Sequence, residues 1–277
     1  MGNQNDENTT VLKYEDIPEL RRKLENIGVA TESQNRLPLF EPTLKPTYRK
    51  RVFENQYGKI VIEGRLGQGH KNLLETILWK REVYKHIEIE GKKYLKLVYD
   101  QEKIRKYLSQ GTKYSYQTYK KLIQDMIQTY IELETDKVRI KGTLIMEVEE
   151  SLVKKPVKSK SPIIPKQTPL TAVIFGAVGT ALIDNELRFT YDPKRITELD
   201  NGISQAIVRF LLTHKRHPRA GYHLKELVEN IEEKVEGQKW WNIKRFLKED
   251  TEKLKDIGIV INFKEDRLFI PDGRLKV

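Results

Sequence analysis

Apolar residues recur along the chain at two spacings, one typical of helices and one typical of strands. The helical spacing predicts a helix at 67–81, with Leu74 and Leu78 on its inward face. Strict alternation of apolar and polar residues at 86–99 predicts a hairpin, and a strand is predicted at 59–63. The first third of the chain therefore mixes helices with antiparallel strands.

Two N-capping residues mark the helices that follow. Asp100 precedes a short helical pattern that ends at Leu108, and Ser115 precedes a longer one that ends near residue 133. A second hairpin is predicted at 138–149. The order of helix, hairpin, helix, turn, helix and hairpin is that of a winged helix, whose third helix enters the major groove of DNA.

The second half of the chain repeats this order. The predicted elements are leading helices at 193–199 and 204–214, a middle helix at 222–231, a third helix at 239–257, and a terminal hairpin of 259–263 with 267–270. Gly258 is predicted to end the third helix. The predicted fold class is therefore α+β, with two tandem winged-helix (helix-turn-helix) domains at 36–191 and 192–277.

Two segments lie outside this repeated pattern. Residues 1–35 are polar and acidic, and a short amphipathic helix is predicted from Ile17 to Ile27, which docks either on this chain or on a partner. Residues 151–168 hold lysines and prolines but no acid, which predicts a flexible basic loop within the first wing sheet. The apolar run at 170–183 is predicted to be a buried strand pair.

The composition favours small amphipathic modules, because 38% of the residues are hydrophobic and 33% are charged. The net charge is +11, and residues 1–35 contain four basic and seven acidic residues, so residues 36–277 carry +14. A strongly basic body attracts polyanions, of which nucleic acid is the usual one, although basic charge also serves solubility alone.

The same composition excludes several other classes of protein. The chain has no cysteine, which excludes disulfides and thiolate metal sites. It shows no signal-peptide pattern, and no apolar run approaches the roughly 20 residues that span a bilayer. A cytoplasmic protein without membrane partners is therefore expected.

The first predicted third helix carries the chemistry of a DNA reader on its polar face. Glutamine bonds adenine edges, and lysine reaches guanine acceptors or phosphates. The candidate DNA-binding residues of this domain, with its preceding turn, wing and basic loop, are Lys113, Tyr116, Gln117, Lys120, Lys121, Gln124, Arg139, Lys154 and Lys155. A merely solvated face is the alternative interpretation.

The second predicted third helix places its cations first and its acids last. Because cations near a helix N-terminus oppose the helix dipole, this order favours a phosphate-facing end. The candidate DNA-binding residues here are Lys215, Arg216, Arg219, Lys239, Asn242, Lys244, Arg245, Lys248 and Arg267. The Trp240-Trp241 pair is predicted to belong to the core, with stacking on nucleic acid as the alternative.

Enzymatic interpretations find little support in the sequence. Residues 64–72 nearly form a phosphate-binding loop, but the lysine is displaced by one position and Asn72 replaces the magnesium-binding Ser or Thr. His214, His217 and His223 lack the partners of a metal site. A protein that is not an enzyme, with neither metal nor cofactor, is therefore expected, and nicking or nucleotide hydrolysis by the pure protein would overturn that expectation.

Three stretches resemble the TrfA-like plasmid replication initiators. They are Leu66-Gly67-Gln68 followed by His70-Lys71-Asn72-Leu73-Leu74, then Lys141-Gly142-Thr143-Leu144-Ile145, and finally Tyr191-Asp192-Pro193 through Leu199-Asp200-Asn201-Gly202-Ile203-Ser204-Gln205-Ala206. The resemblance covers about residues 60–270. It implies tandem winged helices that bind direct repeats in double-stranded DNA at a plasmid origin, help to melt adjacent DNA and recruit a replicative helicase or its loader.

The resemblance does not assign base contacts, and the candidate residues above come from the chain's own pattern. A monomer–dimer equilibrium is compatible with it. The alternative function is a winged-helix transcriptional regulator or a plasmid partition or copy-control protein. Such a regulator would bind a palindrome as a symmetric dimer, whereas two unlike winged helices in one chain suit a direct repeat.

Overall fold

The computed structural model describes residues 30–31, 35–55, 58–108, 114–134, 139–154, 167–184, 188–232 and 235–277. Within these ranges the chain forms a mixed fold of helices and antiparallel sheets. The elements of the first part are β1 (Ala30–Thr31), β2 (Arg49–Asn55), β3 (Gly58–Gly64), α1 (Gln68–Lys80), β4 (Val83–Ile89), β5 (Lys92–Asp100), α2 (Gln101–Tyr107), α3 (Tyr116–Gln128), β6 (Tyr130–Glu134), β7 (Arg139–Thr143), β8 (Ile145–Lys154), β9 (Gln167–Phe175) and α4 (Ala177–Asp184).

The second part begins at a short strand that pairs with β1. Its elements are β10 (Arg188–Phe189), α5 (Lys194–Thr197), α6 (Gly202–Leu211), β11 (Tyr222–His223), α7 (Leu224–Glu229), α8 (Gly237–Glu249), α9 (Thr251–Ile257), β12 (Val260–Asn262) and β13 (Arg267–Phe269).

One topology occurs twice in the chain. The first unit runs α1, β5, α2, α3, β8, β9, and its sheet has the order β5-β9-β8, extended at the β5 edge by β4. The second unit runs α6, β11, α7, α8, β12, β13, and its sheet has the order β11-β13-β12. The last strand therefore lies between the other two in both sheets, with antiparallel pairing throughout.

The first unit contains an insertion that forms another sheet. Strands β6 and β7 follow α3 directly and pair with the early hairpin in the order β2-β3-β6-β7. Side chains on its inner face, such as Ile60, Ile62 and Ile131, are buried, whereas its outer face is mostly charged. Strand β2 was not predicted from the sequence, because Arg49–Asn55 is mostly polar and its Arg51 is buried against the carbonyls of Pro38 and Leu39.

Several predictions are confirmed within about three residues. Helix α1, the β4–β5 hairpin and the β12–β13 hairpin form where the pattern placed them. The Asp100 carboxylate accepts the backbone N–H groups of Glu102 and Lys103, and the Ser115 hydroxyl accepts that of Thr118. Gly258 ends α9 in the left-handed conformation, with φ of 94°.

The predicted end of the third helix at residue 133 is wrong. Helix α3 stops at Gln128, and Tyr130–Glu134 forms β6 between β3 and β7. Residues 123–130 fit a helical stripe, but Ile131 and Leu133 also alternate with polar neighbours. Pairing with β3 decides between the two patterns, which is a tertiary effect that local spacing does not contain.

Two predicted strand pairs are also wrong. The hairpin at 138–149 is instead a single strand, β7, followed by β8 in a different sheet, with Gly142 inside β7. The run at 170–183 is strand β9 followed by helix α4, with Gly176 between them. A Cβ on Gly176 would lie 2.4 Å from the carbonyl oxygen of Thr143, so the close approach requires glycine.

The predicted helix at 239–257 is broken at Asp250 into α8 and α9, and the predicted helix at 222–231 begins as strand β11. Strands β8 and β9 flank the lysine-rich segment, as predicted, but strand structure reaches Lys154 and resumes at Gln167. The rest of that loop and the predicted helix at 17–27 lie outside the described residues.

Both units share one hydrophobic cluster that extends from Ala30 to Ile270. The segment at 35–46 connects the two units. The Gln68 amide of α1 donates to the carbonyls of Phe40 and Glu41, and a Cβ on Gly202 of α6 would meet the Thr43 backbone at 2.6 Å. The two units are therefore packed directly against each other.

Candidate nucleic-acid interface

Helix α3 presents one buried face and one exposed polar face. Tyr119, Ile123 and Met126 are buried in the core. The exposed side chains are those predicted from the sequence, namely Gln117, Lys120, Lys121 and Gln124. Because these residues are spaced by three and four positions, they lie side by side on the helix surface. The described part of α3 therefore offers two amides and two cations along one face.

Tyr116 orders the start of this face. Its half-buried ring stacks on that of buried Tyr119 with centroids 6.4 Å apart, and the Lys120 Nζ lies 4.6 Å from its centroid. Hydrogen bonding to the Tyr116 hydroxyl raises the pKa of Lys120, so this lysine stays charged at neutral pH. The first turn of α3 thus holds a cation in a defined place.

Helix α8 carries alternating aromatic and cationic side chains. The Lys244 Nζ lies 5.0 Å from the Trp240 ring centre, and the Arg245 guanidinium lies 5.5 Å from that of Trp241. Lys248 lies 5.4 Å from the ring of Phe263. Such pairs hold cations in place over apolar surface, which is a feature of nucleic-acid-binding faces.

The two tryptophans have different environments, and the prediction that both belong to the core is wrong for one of them. Trp240 is half-buried and packs against the core. Trp241 is 57% exposed. Adjacent positions on a helix point about a quarter-turn or more apart, so only one indole reaches the core. Trp241 therefore joins the polar face of α8.

We expect Trp241→Ala to reduce affinity for a specific DNA duplex by about 1–3 kcal/mol, because one aromatic stacking or apolar base contact has this magnitude. Its effect on the free energy of unfolding should stay within about 0.5 kcal/mol, since the side chain is largely exposed. Titration with duplex DNA and urea denaturation measure the two effects. Trp240→Ala is the comparison, and it should lower stability more; the reverse ranking contradicts this assignment.

Ion pairs with acids distant in sequence neutralise part of the cation-rich start of α8. Lys239 lies 2.8 Å from Glu232, and Lys244 lies 2.5 Å from Asp266 at the hairpin turn. The helix-dipole argument made from the sequence overlooked these partners. Arg245 has a longer contact, 3.8 Å, with Glu249, and both remain about half exposed. Asn242 accepts a hydrogen bond from Gln238.

The remaining candidates occupy loops and strands. Lys215, Arg216 and Arg219 are exposed between α6 and β11. Arg267 on β13 donates to the Ala220 carbonyl and lies 3.2 Å from the His223 Nε2, so it braces this loop against the sheet.

In the first unit the structure separates residues that the sequence grouped. Arg139 was assigned to the wing, but it lies on β7, beside Glu134, in a sheet other than that of β8 and β9. Lys154 ends β8. Lys113 and Lys155 fall outside the described residues.

The stretch that resembles a phosphate loop is buried in the structure. Lys71 is 1% exposed and packs between α1, Phe40 and α6, where its Nζ lies 3.7 Å from the Glu75 carboxylate. Burial lowers the pKa of Lys71 to about 7, against the opposing effect of Glu75. This lysine has no open path to a nucleotide. Its surroundings instead form the contact between the two units.

His70 connects helix α1 to helix α3. Its Nδ1 accepts the Gly67 N–H at 3.0 Å, and its Nε2 lies 3.2 Å from the Asp125 carboxylate. Burial lowers the pKa of His70, although Asp125 opposes this effect. The neutral ring suits both contacts, since Nδ1 accepts while Nε2–H donates. Protonation would direct a second N–H against the Gly67 donor.

We expect the protein to lose stability as the pH falls below about 6.5, the ordinary histidine value. Burial also lowers the pKa values of His214 and His217, so all three bind protons more weakly in the folded chain. Such groups contribute stability above the unfolded pKa, and that contribution is lost as the pH falls through the folded pKa. Urea denaturation between about pH 8 and pH 5.5 measures this. His70→Gln should flatten the dependence; an unchanged slope would remove His70 from the explanation.

Two broader observations limit the chemistry within the described residues. No cluster of three or more His, Asp or Glu side chains is arranged to hold a metal ion there. None of the helices in the described ranges has the length and apolar character needed to cross a membrane.

Comparison with known proteins gives two similar structures. No family model and no curated protein matches the chain. The crystal structure of selenomethionine derivatives of domains 2 and 3 of RctB has a TM-score of 0.49 and 14% identity, over 84% of this chain and 87% of that chain. A second structure of RctB domains 2-3 has a TM-score of 0.42 and 14% identity, over 79% and 80%. The functional argument therefore depends on this chain's own geometry.

Proposed function

We propose that this protein binds double-stranded DNA sequence-specifically through two winged-helix units, with α3 and α8 entering the major groove. The observation that carries the proposal is the repeated topology, in which the third helix of each unit presents exposed amides or cations. Gln117 and Gln124 on α3 suit adenine edges, and Arg245 on α8 suits guanine. Loop cations such as Arg216 and Arg219 supply phosphate contacts.

We further propose that the bound DNA is a replication origin with repeated sites. This step depends on the resemblance of three sequence stretches to plasmid replication initiators of the TrfA-like family. Two unlike units in one chain suit a direct repeat, because each unit would contact its own half of an asymmetric site. Binding, rather than catalysis, is the proposed activity. Origin melting, helicase recruitment, a monomer–dimer equilibrium and a cytoplasmic location stay predictions.

Footprinting on DNA that flanks the protein's own gene tests both steps. A tandem array of similar protected sites supports an initiator, whereas a single palindrome supports the alternative of a transcriptional or copy-control regulator. Absence of any protected site contradicts sequence-specific binding. The affinity for the protected site should fall steeply with salt concentration, because phosphate contacts release counterions.

A further inference from the structure

We propose that three buried carboxylates, Asp125, Glu75 and Asp250, form a polar relay that fixes the separation of α3 and α8. If the proposed function holds, on which this part depends, the relay also fixes the spacing of the two DNA half-sites that the chain accepts. The relay has three joints, each a carboxylate of one helix bonded to the next helix. They connect α3 to α1, α1 to α6, and α6 to α8.

The first joint connects α3 to the beginning of α1. Asp125 lies on the buried side of α3, opposite the exposed amides and cations, and is 7% exposed. One carboxylate oxygen lies 2.8 Å from the Arg65 Nη2, and the other lies 3.2 Å from the His70 Nε2. Because His70 also accepts the Gly67 N–H, the joint is anchored to the N-terminal turn of α1.

The second joint connects α1 to α6, and therefore one unit to the other. Glu75 and Arg209 are 0% and 2% exposed, and they form a two-pronged ion pair with distances of 2.7 and 2.9 Å. The Arg209 guanidinium also donates to the amide oxygens of Gln68 and Asn72, at 2.6 Å each. The Tyr191 hydroxyl donates to Glu75 at 2.6 Å.

The third joint connects α6 to the end of α8. Asp250 directly follows α8 and is fully buried. Its two carboxylate oxygens accept the backbone N–H groups of Asp200 and Asn201, at 2.9 and 3.0 Å, just before α6. The Asn201 side chain returns a hydrogen bond to the Phe246 carbonyl of α8. An aspartate late in or just after the third helix thus holds the start of the first helix in both units.

Directionality is what these joints add to the shared hydrophobic cluster. Apolar burial is proportional to area and permits several relative positions, whereas a two-pronged ion pair permits few. A buried carboxylate that loses its partners is strongly penalised, so sliding of α1 along α6 would be disfavoured. Two reading helices held in this way can engage two half-sites at one spacing only.

The first test measures the separation of the reading helices without DNA. The chain has no cysteine, so Gln128→Cys on α3 and Gln238→Cys on α8 give two exposed sites for spin labels. The wild-type background should show one narrow distance distribution by electron paramagnetic resonance. Glu75→Gln with Arg209→Met removes the second joint and should broaden it. Lys225→Met with Glu229→Gln, which removes an exposed ion pair on α7, is the control and should leave it narrow.

The second test measures spacing on unlabelled protein. Duplexes would carry the footprinted half-sites at their natural separation or with about 5 base pairs inserted, roughly half a helical turn. The wild type should bind the shifted duplex much more weakly than the natural one. The joint variant should reduce this penalty at least about tenfold, because a flexible connection tolerates different spans. Affinity for one isolated half-site should remain unchanged in the variant.

Asp250→Asn breaks a different joint with a nearly equal volume and should act in the same direction if the double variant folds poorly. An unchanged distance distribution in a folded variant, or an unchanged spacing penalty, overturns the relay. If the wild type binds no specific duplex, the proposed function fails, while the distance measurement still decides whether the relay fixes the helices.

Discussion

Arg209→Ala should lower the free energy of unfolding by about 3–5 kcal/mol, because it leaves the Glu75 carboxylate buried without its main partner. Burial alone would raise the pKa of Glu75, but Arg209 and Lys71 hold it below its ordinary value, so the group is charged in the folded protein. The single substitution removes that stabilisation along with two hydrogen bonds to Gln68 and Asn72. Reversible urea denaturation at neutral pH measures the change.

The double variant Glu75→Gln with Arg209→Met provides the control. Replacing both members of a buried ion pair by neutral side chains of similar volume often leaves stability within about 1 kcal/mol of the wild type. Lys71 would remain in this environment, but its pKa of about 7 lets it become neutral there. Equal losses in the single and double variants would show that the site requires the ion pair itself. No loss in Arg209→Ala would contradict the assigned penalty.

The elements that the sequence predicted well are those whose signals are local. Asp100 and Ser115 cap helices through side-chain bonds to residues two or three positions away, and Gly258 ends α9 through its own backbone conformation. The exposed polar face of α3 was also predictable, because its Gln and Lys residues alternate with the buried stripe at helical spacing. Such features depend on a few consecutive residues only.

The features that the sequence did not predict depend on partners far along the chain. Residues 130–134 fit a helix until β3 offers a strand partner, and Asp250 interrupts α8–α9 while it caps α6, which lies about fifty positions earlier. Lys239 and Lys244 appeared unpaired from their neighbours alone, yet Glu232 and Asp266 reach them. Tertiary contacts of this kind override local propensity.

The motif at 64–72 shows how a pattern can be informative for the wrong reason. Its glycines and lysine resemble a phosphate site, but the structure uses Gly67 and Lys71 for close packing. A Cβ on Gly67 would lie 2.5 Å from the Thr43 carbonyl oxygen, and Lys71 is enclosed beside the Glu75–Arg209 pair. A buried lysine between two helices has no local signature that distinguishes it from a ligand-binding one.

Lys120→Ala and Arg245→Ala should each weaken binding to the specific duplex by about 1–3 kcal/mol, or roughly 5- to 150-fold, if each side chain reads a base. The two residues lie on different helices and share no contact in the described structure, so the losses should add in the double variant. Titration of a fluorescent duplex at fixed salt measures the affinity, and selection from a randomised site library measures the preference at each position.

The pattern of loss distinguishes base contacts from phosphate contacts. A base reader loses preference at one position, whereas a phosphate contact weakens all sequences alike and lowers the salt dependence by about one ion. Lys255→Ala is the matched control, since Lys255 is an exposed cation of α9 that pairs with Glu252 on its own helix. Its removal should alter neither affinity nor preference beyond a small effect of charge. If Lys120→Ala and Arg245→Ala behave like this control, α3 and α8 do not face DNA, and the loop cations Lys215, Arg216 and Arg219 become the surface to test next.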